Sequence, residues 1–232
     1  VPIRGRDPEP GPGAGTRSDP RSTSRPSSLY IDPSNGGIRW RTAAGSDNGR
    51  GVAGDIWAGN EGAEMWSAAD SAVRDTNGTT RGREPSSANF LAWWDGDTTR
   101  ELLDGTRIDK YGPGGDSRLL TGSGVHSNNG TKANPSLSGD ILGDWREEVL
   151  WPRSDDNALR IYSTPIVTDH RFVTRLQDRM YLTGLAWQNT AYNQPPHPGF
   201  FLGSGSGSGS GSGNGNGNGT GTGTGIGTGV GD

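Results

Sequence analysis

The sequence contains no cysteine, so no disulfide can staple it, and cysteine usage says nothing about its redox compartment. No apolar run approaches the ~20 residues needed to cross a bilayer, so no membrane partner is expected. Positive charge is not in excess: the net charge is −4, which argues against a nucleic-acid partner. No segment keeps an amphipathic stripe for three helical turns, and no signal peptide is visible. The histidines, His126, His170 and His197, do not form a metal-ligand spacing.

Two stretches also lack what a core needs. Residues 1–28 are dense in Pro, Arg, Ser and Gly without apolar periodicity, and read as disordered or foreign to the fold. Residues 204–232 alternate Gly with Ser, Asn and Thr, and read as a flexible linker to a further module of the parent chain. Such tracts bury too little apolar surface to offset the entropy of ordering. The fold is therefore expected within residues 29–203.

There the signal is β. Short apolar runs such as Phe90-Leu91-Ala92-Trp93-Trp94 and Glu148-Val149-Leu150-Trp151 are bounded by Gly, Asn, Asp and Pro. The eight tryptophans sit largely in or beside these runs, where large rings suit packed sheet faces.

An internal repeat is the most informative feature. Gly59-Asn60, Gly96-Asp97 and Gly143-Asp144 are each followed four residues after the polar member by Glu64, Glu101 and Glu148, and each glutamate leads into apolar residues. Further acids lie upstream: Asp55, Asp95 and Asp140. The interval of about 40 to 50 residues suits propeller blades. A Gly turn with Asp or Asn and then Glu gathers hard oxygen donors, as calcium requires. One copy alone is better read as a polar turn with solvated carboxylates, but three in one register favour metal. The expected ligands are Asp55, Asn60, Glu64, Asp95, Asp97, Glu101, Asp140, Asp144 and Glu148.

Several runs resemble polysaccharide lyase family 11, the rhamnogalacturonan lyases. They are Gly49-Arg50-Gly51-Val52-Ala53-Gly54-Asp55-Ile56, Trp93-Trp94-Asp95-Gly96-Asp97 and Ser127-Asn128-Asn129-Gly130-Thr131-Lys132. Gly143-Asp144-Trp145-Arg146-Glu147-Glu148-Val149 and Ala186-Trp187-Gln188-Asn189-Thr190-Ala191-Tyr192-Asn193-Gln194-Pro195-Pro196-His197 belong with them. The resemblance implies an all-β fold, the C-terminal blades of an eight-bladed, calcium-binding β-propeller. It also implies a secreted, extracellular enzyme that cleaves rhamnogalacturonan I by β-elimination.

That chemistry needs a neutralised uronate carboxylate, a base for the C5 proton and help for the leaving O4. By the resemblance, Asn129, Gly130 and Thr131 bind sugar or metal and Lys132 points toward the uronate, while Arg50 and Tyr192 complete the site. Lys132 and Lys110 are the only lysines in an arginine-rich chain. A lysine can serve as a base where desolvation or a neighbouring cation favours its neutral form, which an arginine rarely can. Lys132 is thus the expected base, with Arg50 on the carboxylate and Tyr192 near the leaving oxygen. Taken alone, Lys132 reads equally as a surface lysine after a turn, and Tyr192 as a core aromatic. Two other classes stay open: a non-catalytic calcium-binding propeller for carbohydrate, and an inactive lyase fragment.

Overall fold

The computed structural model describes residues 26–32, 34–43, 50–68, 70–188 and 202. A hairpin comes first, made of β1 (Pro26–Ile31) and β2 (Ile38–Ala43). Three antiparallel meanders follow. Sheet 1 runs β3 (Gly51–Gly54), β4 (Glu64–Ser67), β5 (Ala72–Arg74) and β6 (Thr80–Arg83). Sheet 2 runs β7 (Phe90–Ala92), β8 (Glu101–Asp104), β9 (Arg107–Lys110) and β10 (Ser117–Thr121). Sheet 3 runs β11 (Leu137–Gly139), β12 (Glu148–Pro152) and β13 (Leu159–Tyr162). Within each sheet neighbours in sequence are neighbours in space, and none of these sheets closes into a barrel.

Side-chain alternation explains why the sheets lie against one another. Successive residues of a strand point to opposite faces. On β7, Phe90 and Ala92 join a core with Val149 and Trp151 of sheet 3, while Leu91 joins a core with Ile56, Trp66 and Val73 of sheet 1. On β8, Leu103 goes to the first of these cores and Leu102 to the second. Strands β7 and β8 are thus buried on both faces, and Phe90-Leu91-Ala92 and Leu102-Leu103 read as unbroken apolar runs for that reason. The hairpin β8–β9 closes on Gly105-Thr106, where Gly105 takes a φ of 59°, a conformation that glycine adopts without strain.

One boundary needs correction. Strand β1 begins at Pro26, so Pro26–Ser28 belong to the fold and not to the N-terminal stretch set aside from it. The remainder of 1–28, and all of 204–232, lie outside the described residues. The β content also ends in a helix, α1 (Arg179–Trp187), capped by Asp178, whose side chain accepts a hydrogen bond from Tyr181 N at 2.7 Å. Its apolar residues do not form a three-turn stripe because it docks mainly through one buried ring, Tyr181. Just before β12, Trp145 holds a φ of 78°, costly for a bulky residue. Edge-to-face packing on Phe172, with centroids 5.1 Å apart, holds it there.

Candidate functional site

Glu64, Glu101 and Glu148 each open the second strand of their sheet, and each is buried. All three fold their own loop back onto the strand by the same bond. Ile56 N donates to Glu64 Oε2 at 2.9 Å, Trp94 N to Glu101 Oε2 at 2.6 Å, and Ile141 N to Glu148 Oε2 at 3.0 Å. The residue before the glutamate joins one sheet to the preceding one: Arg100 N donates to Asp55 O and Glu147 N to Trp93 O, both at 2.7 Å.

These bonds correct the alignment of the upstream acids. Asp55, Trp93 and Asp140 occupy equivalent positions, immediately before the residue whose N–H meets the glutamate. Asp95 instead matches Ala58 and Leu142, the residues directly before the turn glycines. The first loop carries one extra residue between Asp55 and Glu64. The second loop therefore lacks the first acid of the repeat and has one of its own.

The acids also differ in their partners. Neither carboxylate oxygen of Asp55 has a hydrogen-bond partner, although the residue is only 6% exposed. Asp140, fully buried, accepts at Oδ2 from Thr174 Oγ1 at 2.8 Å and Arg175 N at 2.7 Å, while Oδ1 has no partner. Asn60 donates to Glu64 Oε1 at 2.6 Å, and Asp144 is paired with Arg146 at 2.9 Å. In the second loop the Lys110 ammonium sits among the carboxylates, 2.9 Å from Asp95, 2.8 Å from Asp97 and 2.7 Å from Glu101.

The charges respond accordingly. Burial pushes the Asp55 carboxyl up to about 7, with Glu64 and Asp97 adding to the effect and Lys110 opposing it. Burial likewise lifts Glu148 to about 7, against the N–H groups of Leu142 and Ile141, and raises Glu64. Burial would lower Lys110, but Glu101, Asp97 and Asp95 outweigh it, and the ammonium is raised well above its ordinary value. For the Glu101–Lys110 pair the lysine's direction decides the charge state, because an ammonium ringed by three carboxylates keeps its proton. The buried oxygens left over at Asp55 and Asp140 are hard donors of the kind calcium takes, while the acids whose ligand atoms gather within 4.8 Å among the described residues are Asp95, Asp97 and Glu101.

The Asn129–Lys132 turn meets sheet 2 at the start of β7 and the end of β8, whereas Lys110 meets Glu101 at the start of β8. Asn129-Gly130-Thr131-Lys132 forms a single turn, entered by Asn129 at φ 61° and closed by Lys132 N donating to Asn129 O at 2.9 Å. Asn129, Gly130 and Thr131 are exposed and Lys132 is half-buried. The turn is clamped from sheet 2: Asn89 Nδ2 donates to Lys132 O at 2.9 Å and to Asp104 Oδ1 at 2.7 Å, and Gly105 N to Ala133 O at 3.0 Å. Asn89 also lines a cavity of about 430 Å³ with Arg50, Tyr30, Trp40 and Asp70. Asn89 is thus common to the Arg50 cavity and the clamp on the Lys132 turn. Tyr192 lies outside the described residues. His126 is paired with Asp156 at 2.6 Å and is raised by its bond to Ser127 O and then by Asp156. His170 stacks on Phe172, and His197 lies outside the described residues.

One buried cluster was not expected from the sequence. Glu147, 1% exposed, accepts from Trp93 N at 2.9 Å and Tyr181 Oη at 2.7 Å and faces Arg100 at 3.7 Å. Arg100 and Arg175 both lie over the Trp93 ring, at 4.6 and 5.0 Å from its centroid.

Residues 16–210 match the model of the C-terminal domain of rhamnogalacturonan lyase family 11. The chain belongs to this family. The match to family 11 begins ahead of β1 and reaches into the glycine-rich tract. Among family 11 relatives, rhamnogalacturonan endolyase YesW of Bacillus subtilis is 52% identical over 179 residues, covering 76% of this chain and 28% of its own. Rhamnogalacturonan exolyase YesX of the same organism is 46% identical over 193 residues, covering 75% and 31%. The crystal structure of YesW superposes with a TM-score of 0.72 at 49% identity, over 76% of this chain and 30% of that one. A Bacillus licheniformis family 11 lyase gives 0.70 at 52% identity, over 75% and 30%. The chain spans less than a third of the length of these relatives.

Proposed function

We propose that this chain is the C-terminal part of a secreted, calcium-dependent rhamnogalacturonan lyase whose three meanders are blades of a β-propeller. The observation that carries this reading is the family 11 match together with the clamped Asn129–Lys132 turn beside the Arg50 cavity. Rhamnogalacturonan I is the substrate, a polymer met outside the cell. Calcium, held by Asp55, Asn60 and Glu64 and by Asp140, Asp144 and Glu148, supplies positive charge that offsets buried carboxylates and fixes the loops.

In the reaction, Arg50 holds the C6 carboxylate of a galacturonate through its planar fork, which makes the C5 proton more acidic. Lys132 Nζ takes that proton. The C–H electron pair becomes the C4–C5 double bond as the C4–O4 bond breaks. O4 leaves attached to rhamnose and receives a proton from Tyr192. Asn129, Gly130 and Thr131 orient the sugars, presented by a backbone that Asn89 and Gly105 hold in place.

A rhamnogalacturonan I assay that reads the ultraviolet absorbance of the unsaturated uronate tests this directly. The full-length parent should turn over, and the present chain alone should stay near background. Absence of the unsaturated product from the parent overturns the lyase reading; robust turnover by the chain alone overturns the view that upstream blades are needed.

Calcium can be tested through pH. In the metal-free fold Asp55 and Glu148 hold protons up to about pH 7, whereas the unfolded chain releases them near pH 4. The folded state then binds more protons than the unfolded state, so stability falls as pH rises between those values. In EDTA the Tm should drop from about pH 5 to about pH 8, and calcium should flatten the slope. Identical profiles in calcium and EDTA would count against metal at these loops.

A further inference from the structure

In the second loop of the repeat, Lys110 fills the position a metal ion would take. Its Nζ lies 2.9 Å from Asp95 Oδ2, 2.8 Å from Asp97 Oδ2 and 2.7 Å from Glu101 Oε1, and donates to Thr99 Oγ1 at 2.7 Å. The three carboxylates form the metal-binding geometry found among the described residues, their ligand atoms within 4.8 Å of one another. We propose that Lys110 is a tethered cation that replaces calcium in this loop, so that sheet 2 is held together without metal. The inference rests on reading the other two loops as calcium sites only for its comparison, not for its geometry.

The repeat supplies an independent argument. From the pair Leu102↔Asp109, the residue opposite Glu101 is Lys110. The same step from Met65↔Arg74 sets Asp75 opposite Glu64, and from Val149↔Tyr162 sets Ser163 opposite Glu148. Only the second copy places a cation there. Asp75 turns its oxygens to Asn77 N, Thr79 N and Arg81, its own turn. The second copy also differs at the first acid of the repeat, where Trp93 stands in place of Asp55 and Asp140. The copies without the lysine are the ones with a buried first acid that keeps at least one oxygen without a partner, both at Asp55 and Oδ1 at Asp140. The second copy exchanges the first acid for Asp95 and gains an ammonium, so its three carboxylates already surround a cation that belongs to the chain. Because the ammonium is part of the chain, it cannot be removed by a chelator, and its attraction to three carboxylates carries no cost of binding from solution.

Calcium binding to the full chain, counted by equilibrium dialysis with calcium alone, tests this. Lys110→Ala opens the carboxylate cage and should bind one calcium ion more than the parent, with a Tm that falls in EDTA and recovers in calcium. The inference is overturned when the folded variant binds no additional ion. Should Lys110→Ala fail to fold, Asp95→Asn decides, since Asn can still accept the Asp97 N–H. Its calcium count should equal the parent's, and loss of one ion would show that metal, not lysine, holds this loop. A parent that binds no calcium while Lys110→Ala binds one would sink the calcium reading of the other loops and leave this inference standing.

Discussion

Replacing Lys132 by arginine in the full-length lyase is expected to lower kcat by about 10²–10⁴-fold, the usual effect of losing a general base. Arginine keeps the charge and much of the length, but its guanidinium stays protonated and cannot accept the C5 proton. The turn should survive the change. Its fold depends on the backbone of residues 129–133 and on Asn89, which grips the carbonyl of Lys132 and not its side chain. Tm and calcium dependence should therefore stay near those of the parent while turnover collapses. If kcat stays within about threefold, Lys132 only positions substrate, and Arg50 or Tyr192 becomes the leading base.

Glu147→Gln should destabilise the chain by about 3–5 kcal/mol, the range for breaking a buried ion pair from one side. Gln keeps one acceptor oxygen, which can still take the Trp93 N bond, while its amide nitrogen then faces Tyr181 Oη and cannot accept from it, so the charge and one acceptor are removed together. Two guanidinium groups, Arg100 and Arg175, then lie against the Trp93 ring without the Glu147 charge. Arg175 is already depressed, chiefly by burial and with Arg100 contributing, while Glu147 is the main influence holding it up. The measurement is the urea midpoint at constant m-value. A loss below about 1 kcal/mol would mean that the cation–π contacts and Asp140 suffice to hold both arginines.

How far the sequence was legible follows from what each feature depends on. The glutamates Glu64, Glu101 and Glu148 were visible because repeat position and residue type coincide there. Asp95 was set beside Asp55 and Asp140 on residue type alone, and the backbone bonds to the glutamates show a different register. Lys110 was noted only as one of two lysines, yet its role was readable. The Asp104-Gly105-Thr106-Arg107 hairpin sets the pairing of β8 with β9, and counting back along both strands brings Lys110 opposite Glu101. The Glu147 cluster had no local signal, because its members come from residues 93 to 181 and meet only when sheet 2, sheet 3 and α1 pack. The sheets themselves were legible as short apolar runs between turns. Helix α1 was not, since nine residues anchored by one tyrosine leave no periodic trace.

The bonds from Arg100 N to Asp55 O and from Glu147 N to Trp93 O use main-chain atoms alone. Successive sheets are therefore coupled by a joint indifferent to side-chain identity. The backbone bond itself is the same whichever side chains flank it: the acceptor is Asp in one joint and Trp in the other, and the donor Arg in one and Glu in the other. Such a joint lets a duplicated module specialise. The mounting between modules is written in the polymer, so this bond survives a change of residue, with proline at the donor the one residue it forbids, while each copy builds its own side-chain contacts around it.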